Sequence, residues 1–152
     1  MKMLAALALA AALLPAPAAP EEYATTKDAE QLVRRAVAFY KKEGRVKAIA
    51  AFQDRKGAFV YRDLYVFAYD LDGICLAHPT KPERVGKNNL GDKDPDGREF
   101  VRERIEIAKK YGKGWQEYKF HNPVTRRVEP PVAYFAVADG VLLVSGAYTQ
   151  QQ

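Results

Sequence analysis

The chain holds one cysteine in 152 residues, Cys75. A lone thiol excludes a disulfide within the chain and any cluster built on several thiolates. Histidine is almost as scarce, with only His78 and His121, so a multi-histidine metal centre is excluded as well. No block of like charge runs long enough to serve as a nucleic-acid arm, and no nucleic-acid partner is expected. The net charge of +5 is therefore read as a solvated surface with a mild preference for anions. Ser145 sits mid-strand rather than on a G-x-S-x-G elbow, and no carboxylate pair stands in an apolar setting, so nothing argues for an enzyme. Long apolar runs are also missing, with one exception.

That exception is at the start. Lys2 precedes an apolar run over 3–14, which Pro15 ends, and Ala16 and Ala18 form an A-x-A cleavage site. A bilayer-spanning helix needs about 20 apolar residues, so the layout is that of a secretory signal over 1–18. The rival is an uncleaved anchor; a lipoprotein anchor is excluded because no cysteine follows the run. Removing 18 of the 152 residues leaves 134, enough for one domain over 19–152 that is periplasmic or secreted. Lys2 is the only charge in that segment, so the net charge falls from +5 to +4.

Within this domain the pattern is α+β. Ala29, Leu32, Val33, Ala36, Val37 and Tyr40 lie at helical spacing, with a Thr25–Asp28 capping box before them and Gly44 after. A shorter helix is expected over 46–52. Alternating segments predict strands over 64–71, 74–78, 115–120, 132–138 and 141–148. Asp72-Gly73 and Asp139-Gly140 each read as a tight hairpin with positive φ at both positions. A further helix follows Asp96 and Glu99, which read as its capping box, and buries Phe100, Val101, Ile105, Ala108 and Tyr111. The expectation is a PAS-like five-stranded antiparallel sheet, with a long N-terminal helix and a helix inserted after the first hairpin.

Several short motifs sharpen this: LYVFAYDLDG over 64–73, AHP over 77–79, VGKN over 85–88, DG over 96–97, GWQEY over 114–118, NPVT over 122–125 and GAY over 146–148. Their order and spacing resemble a single Cache domain, the extracytoplasmic sensor module of bacterial chemoreceptors and sensor kinases. The resemblance implies a pocket on one sheet face for a small organic solute such as a short carboxylate. It implies binding without catalysis, no cofactor, and signalling through a partner protein, membrane-bound in the simplest arrangement. The sequence ends at Gln152 without an output element, which the partner would supply. The N-terminal helix is available to pair with a second copy. One departure stands out: Pro131 occupies the place where that family usually carries a lysine.

The candidate ligand-binding residues are Tyr65, Phe67, His78, Lys87, Trp115, Tyr118 and Tyr134. Tyr65, Phe67 and Tyr69 alternate and share a face; with Trp115, Tyr118 and Tyr134 they would make an aromatic pocket with polar tips. His78 opens a long loop over 79–97, the expected lid. Lys87, preferred over Arg84 and Arg98 because Gly86 frees the backbone beside it, is the candidate cation. Cys75 and His78, three apart, fall on opposite strand faces unless the strand bends, so Cys75 is expected buried and inert. Two rival readings stand beside this one. Asp92, Asp94, Asp96, Gly97 and Glu103 fit the calcium-loop pattern D-x-D-x-D-G-x₅-E and would make a calcium-stabilised structural or interaction module. A hydrolase would use His78. No metal site is favoured.

Overall fold

A computed structural model describes residues 23–122 and 125–148; the segment read as a signal sequence lies outside them. In chain order the elements are α1 (Thr26–Glu43), α2 (Arg45–Gln53), β1 (Val60–Tyr61), β2 (Leu64–Tyr65), β3 (Phe67–Asp70), β4 (Cys75–Ala77), α3 (Phe100–Tyr111), β5 (Lys113–Glu117), β6 (Phe120–His121), β7 (Val128–Glu129), β8 (Pro131–Ala138) and β9 (Val141–Tyr148). Five strands form one antiparallel sheet in the order β4-β3-β9-β8-β5, and β1–β2 and β6–β7 are two-stranded outliers. The α+β architecture is the one the sequence pattern predicts.

The start of α1 is fixed by the capping box: the Asp28 N–H donates to Thr25 Oγ1 at 3.1 Å and the Thr25 N–H to Asp28 Oδ2 at 2.8 Å. Its stripe of Ala29, Leu32, Val33, Ala36 and Tyr40 is buried. These residues pack on one sheet face with Phe52, Leu64, Val66, Ala68, Leu143 and Ala147. The other face belongs to α3, whose Phe100, Val101, Ile105 and Ala108 meet Phe67, Tyr69, Phe135, Leu142 and Val144. Leu142, Leu143 and Val144 thus go to alternate faces, as the pleat requires.

Several local expectations are corrected. The strand over 64–71 is interrupted at Val66, whose N–H leaves the sheet to donate to Phe59 O. The strand over 115–120 stops at Glu117, and Phe120 pairs instead with Glu129. Asp139-Gly140 has positive φ at both positions, but in Asp72-Gly73 only Gly73 does. There the Asp70 carboxylate accepts the N–H groups of Asp72 and Ile74 and holds the turn. Gly73 is needed for space too, since a Cβ would meet Leu90 at 2.4 Å. Asp96 does not cap α3. Asp94 Oδ1 accepts the Asp96 and Arg98 N–H groups, while Asp96 pairs with Lys119. Tyr111, the last residue of α3, is 64% exposed because the chain turns away at Gly112 into the edge strand β5.

Candidate functional site

A β-bulge aims the site. In the β3–β4 pairing Ala68 faces Ala77, but Tyr69 faces Cys75, so Leu76 is an extra residue on β4. The bulge flips the alternation. Ala77 joins the α1 side and Cys75 the α3 side, which carries His78 onto the same face as Cys75 rather than the opposite one. The His78 backbone is clamped from behind: its N–H donates to Gln53 Oε1 at 2.9 Å, and its carbonyl accepts Gln53 Nε2 at 3.3 Å.

His78 then lies in a closed cavity with Tyr65, Phe67, Tyr69, Arg84, Phe100, Arg104, Tyr118 and Phe120. The free space is about 10 Å³, room for roughly one water. His78 stacks on Phe67 at 5.1 Å and meets Tyr65 at 5.4 Å, with Thr80 Oγ1 3.4 Å from Nδ1. Burial, then the charges of Arg84, Lys81 and Arg104, hold its pKa down to about 3. An imidazole whose pKa is held this far below ordinary pH is too weak a base to be well suited to general-base chemistry. Cys75, pushed up to about 11 by burial, lies in the apolar layer and donates weakly to Ala77 O.

Arg104 is the unexpected member. It projects from the buried stripe of α3 and is 0% exposed. Its Nε donates to Gln116 Oε1 at 2.9 Å, but both terminal nitrogens are buried without a hydrogen-bond partner among the described residues. The guanidinium is ringed by Tyr118 at 4.7 Å, Phe67 at 5.6 Å and Phe100 at 5.8 Å. Leaving two buried charged donors unsatisfied costs several kcal/mol, which an anion with two acceptor oxygens would offset. Arg84 enters from the loop, donating to Tyr69 Oη at 3.2 Å and pairing with Asp92 at 2.7 Å; its Nε too is unpartnered.

Of the seven residues singled out, Tyr65, Phe67, His78 and Tyr118 line this cavity. Trp115 and Tyr134 do not. Phe67, Val144 and Phe135 are register partners on the cavity face; the next pairs, Tyr134 with Ser145 and with Trp115, point to the α1 face. There Trp115 packs on Tyr134 at 4.9 Å and is 43% exposed. Lys87 is also outside: its carbonyl accepts the Cys75 N–H, which ties the loop to the edge of β4 and turns the side chain to solvent. Sequence reasoning passed over Arg104, although an arginine one turn after Phe100 on a buried stripe was a visible anomaly. The loop over 79–97 does cover the cavity, through Arg84.

The acidic loop uses its carboxylates one by one. Asp92 binds Arg84, Asp94 accepts backbone N–H groups, Asp96 binds Lys119, and Glu103 binds Arg98 and Gln116. Calcium would have to break all of these. A larger depression of about 690 Å³ lies elsewhere, between α2 and the loop, lined chiefly by Val46, Ile49, Leu76, Pro82 and Val85. It is mostly apolar; Arg45 is the one charged residue in its lining and Gln53 is already spent on His78, so it offers little of the convergent polar set of a small-molecule site. A polar cavity of about 220 Å³ adjoins the closed one and shares Tyr65 with it.

Comparisons agree with the fold. A family model described as Single Cache domain 2 matches residues 20–150. Sensor histidine kinase MctS of Rhizobium johnstonii is 36% identical over 78 residues, 51% of this chain and 17% of the kinase, so the match spans about a sixth of that protein. Among solved structures, the periplasmic sensor domain of a chemotaxis protein is 24% identical with a TM-score of 0.66, covering 82% of this chain and 90% of that one. A Cache chemosensory domain studied for carboxylic acid recognition is 21% identical with a TM-score of 0.64, covering 82% and 88%.

Proposed function

The chain belongs to the Single Cache domain 2 family, and we propose that it is an exported sensor domain that binds a short carboxylate in the Arg104 cavity. The observation that carries this reading is the pair of buried, unpartnered terminal nitrogens on Arg104. A carboxylate satisfies both in a bidentate pair, and the surrounding rings exclude water from it. The lysine expected at Pro131 is then unnecessary, because the cation arrives from α3. That one solved relative recognises carboxylic acids is in keeping with this.

The domain acts by occupancy rather than turnover. A neutral His78 stacked on Phe67 serves as packing and as a hydrogen-bonding edge. Because the free cavity is nearly closed, ligand entry must move the loop over 79–97 or Tyr65, and that displacement is the signal. A membrane-bound signalling partner receives it, and α1, with Arg34 and Arg35 exposed, offers a surface to a second copy. The N-terminal segment, cleaved near Ala18, places the domain in the periplasm or outside the cell.

Calorimetric titration of the chain with acetate, propionate and lactate tests the site. At least one should bind saturably, and Arg104→Met should weaken it about 100-fold or more, the scale of breaking a buried charge pair. Equal affinity in the variant, or no binding of any acid to the wild type, would overturn the reading.

A further inference from the structure

Resting on that reading, we infer that Asp92 sets the charge the ligand must carry: it neutralises Arg84 and leaves Arg104 the one uncompensated cation, so the cavity selects monocarboxylates over dicarboxylates. Two arginines reach this cavity, and at first sight a dianion would suit them. Their surroundings differ. The Arg84 side chain is 16% exposed, and its Nη2 lies 2.7 Å from Asp92 Oδ2. The same nitrogen donates to Tyr69 Oη, so, although Nε has no hydrogen-bond partner among the described residues, the charge is matched within the protein. Asp92 is held in turn by its own N–H, which donates to Asn89 O. The loop therefore brings its charge to the cavity already cancelled. Arg104 has no such partner: its only bond is to the neutral Gln116.

The other ionisable groups near the cavity do not alter the balance. His78 is uncharged. Tyr65 and Tyr69, raised by burial, stay protonated. Glu103 is spent on Arg98 at 2.6 Å and reaches Arg104 only through Gln116. Lys81 lies with its ammonium 4.7 Å above the Phe120 ring and lines the adjoining polar cavity rather than the closed one. A monocarboxylate thus leaves the site neutral. A dicarboxylate would bring a second charge into a desolvated space whose own lining offers it no unpaired cation beyond Arg104, a cost that discriminates strongly.

Propionate and malonate are three-carbon acids, a monoanion and a dianion at neutral pH, and a paired titration with them tests the proposal. Wild type should favour propionate by about 10-fold or more. Asp92→Asn, nearly isosteric, frees Arg84 and should move the propionate-to-malonate affinity ratio about 10-fold toward malonate. The double variant Arg84→Gln/Asp92→Asn removes the freed cation and should restore the preference for propionate. A purely structural Asp92 would not be rescued in this way. Thermal melts check that each variant folds, and the wild-type ratio needs no variant. Malonate binding wild type as tightly as propionate sinks the proposal, as does a ratio that Asp92→Asn leaves alone, or one that the double variant fails to reverse. If wild type binds neither acid the proposal falls, and if acetate and lactate fail as well the carboxylate site itself is refuted; if both bind through Arg104 without preference, only the role of Asp92 is lost.

Discussion

The two faces of one sheet are built from alternate residues of the same strands, yet they do different work. Toward α1 the side chains are Val66, Ala68, Leu143 and Ala147, closed by Leu32, Val33 and Ala36. This layer is apolar in the main, its aliphatic side chains mixed with the rings of Tyr40, Phe52, Phe59 and Tyr134. Toward α3 the residues one step along are Phe67, Tyr69 and Val144, and the layer admits His78, Arg84 and Arg104 beside the rings. One face is packed with apolar side chains; the other buries guanidinium nitrogens of Arg84 and Arg104 that have no hydrogen-bond partner among the described residues. The strands between them are shared, and Gln53 of α2, on the far side, holds the His78 backbone through two hydrogen bonds.

The largest expected difference is in stability. Leu143→Ala, at 0% exposure, should cost about 2–5 kcal/mol in denaturant unfolding, with ligand affinity unchanged in the folded fraction. Arg104→Met should do the reverse, abolishing binding while leaving stability unchanged or raising it by about 1–3 kcal/mol, since it replaces a buried unpaired charge with an apolar side chain. A loss of more than about 1 kcal/mol would make Arg104 a structural residue and collapse the contrast between the faces.

A smaller effect follows from His78. Its pKa is depressed to about 3 in the folded protein, while the unfolded chain titrates near the ordinary 6.5. Between those values the unfolded state binds the extra proton, so stability is full above 6.5 and falls as pH drops toward 3. The slope is about 1.4 kcal/mol per pH unit. His78→Gln should lose that part of the acid sensitivity. Parallel slopes for the two proteins would mean that the imidazole is not held neutral.

Much of this was legible beforehand, and the failures have a common cause. Period-two alternation put Tyr65, Phe67 and Tyr69 on one face, and Asp139-Gly140 fixed the β8–β9 hairpin. Within a strand, parity is a property of the sequence; between strands it depends on register. Trp115 and Tyr134 are direct partners, as two aromatics in neighbouring strands can be, but which face they occupy is decided by how β8 pairs with β9 and β9 with β3. The bulge at Leu76 is hidden for the same reason, as a single added residue visible only against its partner strand. Lys87 was misjudged because the loop backbone bonds to the β4 edge, a contact that flanking glycines do not announce. Arg104 was legible as an anomaly, a charge on an apolar stripe, and was read past.

Trp115 gives the smallest effect and the cleanest check on the assignment of faces. Its indole packs on Tyr134, over which Arg34 lies at 5.9 Å, and is 43% exposed. An aromatic pair of this kind contributes about 0.5–1.5 kcal/mol beyond its burial. Trp115→Ala should therefore lower stability by roughly 1 kcal/mol, with partial exposure limiting the packing loss. Carboxylate affinity should stay within about twofold of wild type, because no part of the side chain reaches the Arg104 cavity. The same measurement on Phe67→Ala, one of the rings around Arg104, should show the opposite balance, with affinity falling well beyond what the loss of stability accounts for. A tenfold loss of affinity in Trp115→Ala would place the indole against the ligand and require β5 to present its other face, a one-residue slip that would carry Gln116 away from Arg104 and dismantle the site described.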